Sequence, residues 1–403
     1  MKKRYVDPFT SDIPQLDPSR FAGRKTQIEL IADALFQTKH GKPTNIIITG
    51  ERGIGKSSLL NQSRELAQGD LTLLTRLGIN TSDLAFDYIA IWHDAAKDQG
   101  PLEIVSGIMD GLVAFNIAIN PDTEGEDASN PLRTHSDNQK NLTQLVSRFC
   151  TAISRASQYA SKHGKDGVLI LLDELDRADP NSGVATFFKL VIEKLARDKI
   201  RNVAFMCAGM SGAIQHLEED HASIYRNFRD VHVSRLAQDE TRSILEAGFQ
   251  AAGFEFDPSV FPLIHQLAAG YPEPVHLLGS QALALDTDNA ITDEDVRHAT
   301  RQIISSLRKS KYLALLHKAG TGKNQLILKT MAEYSHLDVP VDHISNALAQ
   351  PHKQYHTNMV NLQTKGLIAL KKKGIYAIVD PLFREYIREL GVLQLETEAC
   401  KEG

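Results

Sequence analysis

Several things the sequence lacks narrow its class before any motif is read. No segment approaches the roughly 18–20 uninterrupted apolar residues of a membrane-spanning helix, so no membrane span is expected. Cysteine is scarce. Cys150, Cys207 and Cys400 are scattered, with neither a pairing framework nor metal-ligand spacing. The basic start Met1-Lys2-Lys3-Arg4 is not followed by an apolar stretch, so no secretory leader is expected and the cytoplasm is the expected location. A basic excess is missing too. At a net charge of −5, any binding to nucleic acid has to come from a local patch. What remains is an ordinary globular composition, 42% hydrophobic and 24% charged, in 403 residues, enough for two or three domains.

Against that background one stretch carries chemistry. Asn45-Ile46-Ile47-Ile48-Thr49 is a short apolar run of the kind that forms a strand buried on both faces. It runs into Gly50-Glu51-Arg52-Gly53-Ile54-Gly55-Lys56-Ser57-Ser58, which contains G-x-x-x-x-G-K-S in full. The following residues, 57–65, hold no helix breaker. Strand, glycine-rich loop and helix form the setting in which backbone N–H groups and a helix N-terminus converge on phosphate oxygens. In that setting Lys56 reaches the β- and γ-phosphates of a nucleotide and Ser57 ligates Mg²⁺.

A second strand is expected over 87–92 and a helix over 101–115. Residues 120–140 collapse into Asp, Glu, Asn, Ser, Gly and Pro and read as a long exposed loop. After a helix over 141–163 comes Val168-Leu169-Ile170-Leu171-Leu172-Asp173-Glu174, a buried strand delivering two carboxylates. Asp173 is suited to hold Mg²⁺ and Glu174 to polarise the attacking water. A further buried strand spans 202–209, with Ser211 just past its end and Cys207 as a small core residue. Tyr225-Arg226-Asn227-Phe228-Arg229 leads into a short last strand, 230–233.

From residue 234 the pattern turns to helices only. Gly270-Tyr271-Pro272 makes a tight break before a helix over 275–285, and Thr292 is placed to cap the next one, with acids in its first turn. Gly320-Thr321-Gly322-Lys323 is not a second phosphate loop, because His317 stands where the first glycine belongs. The last module reads as helices over 324–335, 339–349 and 352–365, a hairpin turning through Lys371-Lys372-Lys373-Gly374, and a closing helix. That order is a winged helix. His352 and His356 lie one turn apart with no third ligand, so no metal site is expected there.

In this order the parts resemble an AAA+-type P-loop ATPase of the STAND and archaeal-ATPase kind, a relative of the origin-recognition initiators. The resemblance covers most of the chain. Phe21-Ala22-Gly23-Arg24 resembles the adenine-side box of that family, Gly50 to Ser57 its Walker A and Asp173-Glu174 its Walker B. It implies a sensor near Ser211, an arginine finger for a neighbouring subunit at Arg226 or Arg229, and a nucleotide-side Pro272 in the G-x-P motif of STAND lids. No arginine opens the 275–285 helix, where many AAA+ proteins carry their second sensor. That departure favours the STAND-like branch and a switch.

The expected fold is α/β: a P-loop αβα sandwich with a parallel sheet, then an all-α lid and a winged helix. The expected boundaries are an extended lead-in at 1–20, a nucleotide domain at 21–235, the lid at 236–318, the winged helix at 319–390 and a tail at 391–403. ATP and Mg²⁺ are the implied ligands. The favoured reading is a slowly hydrolysing switch, possible in stress or phage-defence signalling, with a protein partner not identified by the sequence and a homo-oligomer formed through the finger. The alternatives are a DNA-bound initiator or transposition helper, using Lys371, Lys372 and Lys373 on double-stranded DNA, and a nucleotide-binding scaffold that never hydrolyses.

Overall fold

The apolar runs of the first 234 residues become strands. β1 (Asn45–Gly50), β2 (Tyr88–Asp94), β3 (Gly167–Asp173), β4 (Val203–Met210) and β5 (Phe228–Val233) pair in the order β2-β3-β4-β1-β5, parallel throughout. Every residue of β1 and β3 is buried, which is why they read as unbroken apolar runs rather than alternating ones. This computed structural model describes residues 4–9, 17–18, 20–115, 117, 138–178, 182–210 and 227–399.

Alternate strand residues serve opposite faces. Ile47, Ile91, Ile170 and Phe205 share a core cluster with α4 (Pro101–Ala114), α5 (Asn138–Lys162) and α6 (Val184–Arg197), through residues such as Ile108, Phe149 and Phe187. Ile46, Ile48, Leu169 and Met206 are equally buried, and α1 (Lys25–Lys39) and α2 (Lys56–Ala67) lie along this sheet as well, with the short α3 (Thr72–Arg76) following α2. Burying one such side chain contributes roughly 1.5–3 kcal/mol, so the helices packed on the sheet supply much of its stability. Asn45 stitches the start of the sheet. Its side chain donates to the Asn227 carbonyl (3.0 Å) and accepts from the Phe205 N–H (2.9 Å), tying β1 to the chain on either side of it.

The chain divides into two units, Ile13–Ser234 and a second made of Met1–Asp12 with Arg235–Gly403. In the second, α7 (Gln238–Ala252), α8 (Val260–Ala268), α9 (Pro272–Leu285) and α10 (Asp293–Leu307) pack together. Thr292 caps α10 as expected: its hydroxyl oxygen accepts from the Asp295 N–H (3.5 Å), and the Asp295 carboxylate accepts in return from the Thr292 N–H (2.8 Å). The expectation of helices only needs amending, because Glu255–Phe256 and Ala290–Ile291 (β6 and β7) form a small parallel pair. A π turn, Arg308–Tyr312, then leads to α11 (Leu313–Ala319). Among the described residues no helix is long and apolar enough to cross a membrane.

The final module holds α12 (Lys323–Glu333), α13 (Val341–Leu348), α14 (His356–Thr364), β9 (Ile368–Lys372), β10 (Ile375–Ile378) and α15 (Pro381–Ala399). Three details differ from the sequence reading. Val339–Pro340 is not helical but a short strand, β8, on the edge of β10, a place where proline is tolerated. The helix expected over 352–365 breaks at Tyr355, whose φ of −129° is not helical. Its ring is fully buried and its hydroxyl is held by Ser345 (2.7 Å) and the Val341 carbonyl (3.1 Å), so tertiary bonds override local propensity. Lys371 and Lys372 lie in β9, leaving Lys373-Gly374 as the turn, with Gly374 at φ 74°.

Candidate active site

In a parallel sheet ligands gather at the carboxyl ends of the strands, and the Gly50 to Ser58 loop, Asp173 and Glu174 lie there, whereas Arg229, paired with Ile46, lies near the amino end of β5. Gly50 ends β1, and only glycine fits at this point. A Cβ there would sit 2.6 Å from the Val233 carbonyl oxygen and 2.9 Å from Ile54. The chain then turns through Glu51, exposed Arg52 and Gly53, and buried Ile54, and Gly55, at φ 99°, opens α2 with Lys56, Ser57 and Ser58 in its first turn. The Lys56 ammonium folds onto its own loop, donating to the carbonyls of Glu51 (2.8 Å) and Gly50 (3.2 Å). Burial pushes its pKa below the ordinary lysine value, while Asp176 and Asp173 pull it back up.

Two strands away in the sheet, β3 delivers Asp173, which is 6% exposed. It accepts a hydrogen bond from the Glu174 N–H at 2.8 Å. Burial raises its pKa, and the Ser57 side chain and the Glu174 N–H oppose the rise. Glu174 follows in a left-handed conformation, φ 54°, which turns its carboxylate out of the strand line. Burial raises its proton affinity as well. The Arg177 guanidinium, 2.7 Å away, works against that, and Asp173, Asp176 and Asp94 add to it. Asp176 in turn accepts from the Met210 N–H at 2.9 Å, fastening the end of β4 to this edge.

Beside the loop, Phe21 and Ala22 are buried, and Arg24 is 5% exposed in the left-handed region, φ 63°. Its guanidinium donates to the Ile54 carbonyl at 3.2 Å. Reading the sequence places Arg24 in a box but misses this bond, since nothing local announces a partner thirty residues on. Arg229 is not on the lead-in to the last strand. It lies within β5 and pairs with Asp33 of α1 at 2.8 Å. Arg226, Ser211 and residues 120–137 lie outside the described residues, and 138–140 already belong to α5. Pro272 opens α9 in the C-terminal unit at the first helical position, where its missing N–H costs nothing.

The description "AAA ATPase domain" fits residues 20–191, a span that contains both the phosphate loop and Asp173-Glu174. Residues 20–191 form an AAA ATPase domain. None of the curated proteins matches this chain. Among solved structures, the Walker-type ATPase PABY2304 of Pyrococcus abyssi is 16% identical, with 94% of this chain and 99% of that one covered at a TM-score of 0.51. The Aeropyrum pernix ORC2 protein, in its ADPNP and ADP complexes, is 15% identical, with 98% and 97% covered at 0.50. At such identities the likeness is one of fold: the AAA ATPase domain and the helical parts after it follow the architecture of these archaeal proteins.

Outside the AAA ATPase domain, charge supplies a signal that net counting hides. Residues 235–295 hold two Lys and Arg against eleven Asp and Glu, whereas 296–379 hold thirteen against three. Lys311 is tied to Asp380 and Lys329 to Glu333. Arg297, Lys309, Lys318, Lys353, Lys372 and Lys373 stand exposed. A running sum along the sequence, rather than one total, finds this segment.

Proposed function

We propose that the chain is an ATP-operated switch that binds MgATP on the loop from Gly50 to Ser58 and hydrolyses it slowly. Lys56 leaves its two loop carbonyls for the β- and γ-phosphates. Its ammonium is drawn to phosphate more strongly than to neutral carbonyls. Ser57 and Asp173 offer two hard oxygens at the same sheet edge, a donor set that fits Mg²⁺. When bound, Mg²⁺ neutralises phosphate charge there. Glu174 orients and deprotonates the water, once it has exchanged its ion pair with Arg177 for that role. Phe21 lies on the base side, and Arg226 or Arg229 of a neighbouring copy completes the charge balance. The last of these requires Arg229 to give up Asp33.

The observation that carries this reading is the loop itself: Gly50 closes β1 where no Cβ fits, and Lys56 opens α2 with its ammonium gathered onto the Gly50 and Glu51 carbonyls, at the same sheet edge as buried Asp173. Lys56→Ala tests it. ATP affinity measured by calorimetry is expected to fall by about an order of magnitude or more, the loss of a charge-assisted contact worth ~1.5–3 kcal/mol. Unchanged affinity in a folded variant rejects the loop as the binding site.

The output of the switch has two candidates: a STAND-like signalling role, as in stress or phage defence, through a protein partner, and a DNA-bound initiator role. The first fits the missing second-sensor arginine. The basic segment 296–379, ending in Lys371, Lys372 and Lys373 on a winged-helix hairpin, favours the second. Duplex binding at low salt, with and without ATP, separates them. A pure scaffold is disfavoured by the intact Asp173-Glu174 pair.

A further inference from the structure

Phe9 is 7% exposed, which is unusual for an aromatic ring in an otherwise irregular leading segment. Its neighbours come from the far end of the sequence. Phe249 of α7 meets it edge-on (ring centroids 5.6 Å apart, planes at 76°), and His276 of α9 does the same at 5.9 Å and 75°. The floor beneath the ring is made by two glycines, Gly248 in α7 and Gly279 in α9. A Cβ on Gly279 would lie 2.7 Å from the ring tip, and one on Gly248 would come closer still. Neither glycine has a positive φ, so the backbone does not call for them. In a helix interior glycine is a poor choice. The space that Phe9 needs is the physical reason for both.

The residues before Phe9 are seated as well. The Tyr5 ring stands edge-on to Phe254 at 5.2 Å. Asp7 accepts from the Ser280 hydroxyl (2.5 Å) and from the Phe9 N–H (2.9 Å). Val6, between them, is 86% exposed. Tyr5 therefore engages Phe254 just past the end of α7, Asp7 engages α9 and Phe9 both α7 and α9, while Val6 faces water.

We propose that α7 and α9 form a receptor groove for an aromatic-x-acid-x-aromatic segment, and that its occupant is the chain's own Tyr5–Phe9, acting as a releasable strap. The chain leaves this unit after Asp12 and returns to it at Arg235. With the strap seated, the C-terminal unit is joined to Ile13–Ser234 at two points of the chain. With the strap released, it is joined at one.

A site-specific protease sequence inserted after Asp12 in the full-length protein tests this. After cleavage the N-terminal peptide should remain with the body through gel filtration. It should be lost from Phe9→Ala and from Gly279→Ala, and labelled peptide should rebind the Gly279→Ala body at least tenfold more weakly. Alanine is a better helix former than glycine, so undiminished helix content in Gly279→Ala separates release of the strap from unfolding. Adding Gly279→Ala to Phe9→Ala should cause no further loss. Immediate dissociation from the unsubstituted protein, or equal retention in both variants, overturns the groove. Dimers held together by the segment, seen by light scattering, overturn its seating within one chain.

Discussion

The two units encode their features in different ways. In the N-terminal unit the chemistry is written in consecutive residues: Gly50 to Ser58 make the loop, and Asp173 and Glu174 adjoin. The sheet then needs only parallel pairing to bring the two together. In the C-terminal unit the informative features are relations between distant residues: Phe9 with Gly248 and Gly279, Tyr355 with Ser345 and Val341, and opposite charge on successive segments. A local code survives reading one residue after another. A relational one becomes visible only when the chain has folded.

Substitutions that touch one unit and spare the other put this contrast to work. The largest effect is expected from Glu174→Gln, which should turn over ATP ~10²-fold more slowly or worse at near-unchanged affinity. Normal hydrolysis by this variant would show that the consecutive carboxylates are not the catalytic code. Next comes acid. His276 is buried against Phe9, and burial pushes its pKa down to about 4, with Asp7 opposing. Its folded pKa lies below the ordinary 6.5, so the unfolded chain takes up the proton first. Stability is intact above about pH 6.5 and declines as the pH falls toward 4, by roughly 3 kcal/mol at most. The decline should spare the N-terminal unit, which holds Trp92, the single tryptophan of the chain. Circular dichroism should therefore record an acid-weakened transition that tryptophan fluorescence does not. Coincident shifts in both signals would merge the two units into one cooperative block.

Smaller effects sharpen the contrast further. Replacing Lys371, Lys372 and Lys373 by Ser should leave ATP affinity alone while flattening the slope of log duplex affinity against log salt by up to ~2–3 units. A nucleotide site altered by that change would contradict the division of labour. Smallest is Arg229→Ala. As a half-exposed ion pair with Asp33 it should cost only about 0.2–1 kcal/mol of stability. If the residue also serves a neighbouring copy, specific activity should fall and be restored by mixing with Glu174→Gln. Failure of that rescue leaves the pair as surface decoration.

Much of the N-terminal unit was legible in the sequence because burial on both faces of a parallel sheet leaves unbroken apolar runs, and because glycine spacing reports backbone shape. Strand ends were less legible. Arg229 falls inside β5 and not before it, since pairing with β1 extends the strand by two residues. Val339–Pro340 passed for the start of a helix because β10, its partner, comes more than thirty residues later. Arg24 looked like one residue of a family box, yet it holds the Ile54 carbonyl from a left-handed backbone. In each case the deciding interaction is long in sequence and short in space, and no periodicity reports it.

The partition of charge has a consequence for how the protein behaves as a colloid. A sequence pI near 6.3 hides an acidic stretch, 235–295, and a basic one, 296–379, whose charges nearly cancel. Near that pH the mean charge vanishes while charges of both signs persist. Attraction between molecules then runs from charge to opposite charge. It reaches little beyond a screening length of ~8–10 Å at ordinary ionic strength. Dilution of salt should therefore cloud a solution near the pI and added salt should clear it, and the same molecule should adhere to both cation- and anion-exchange resins.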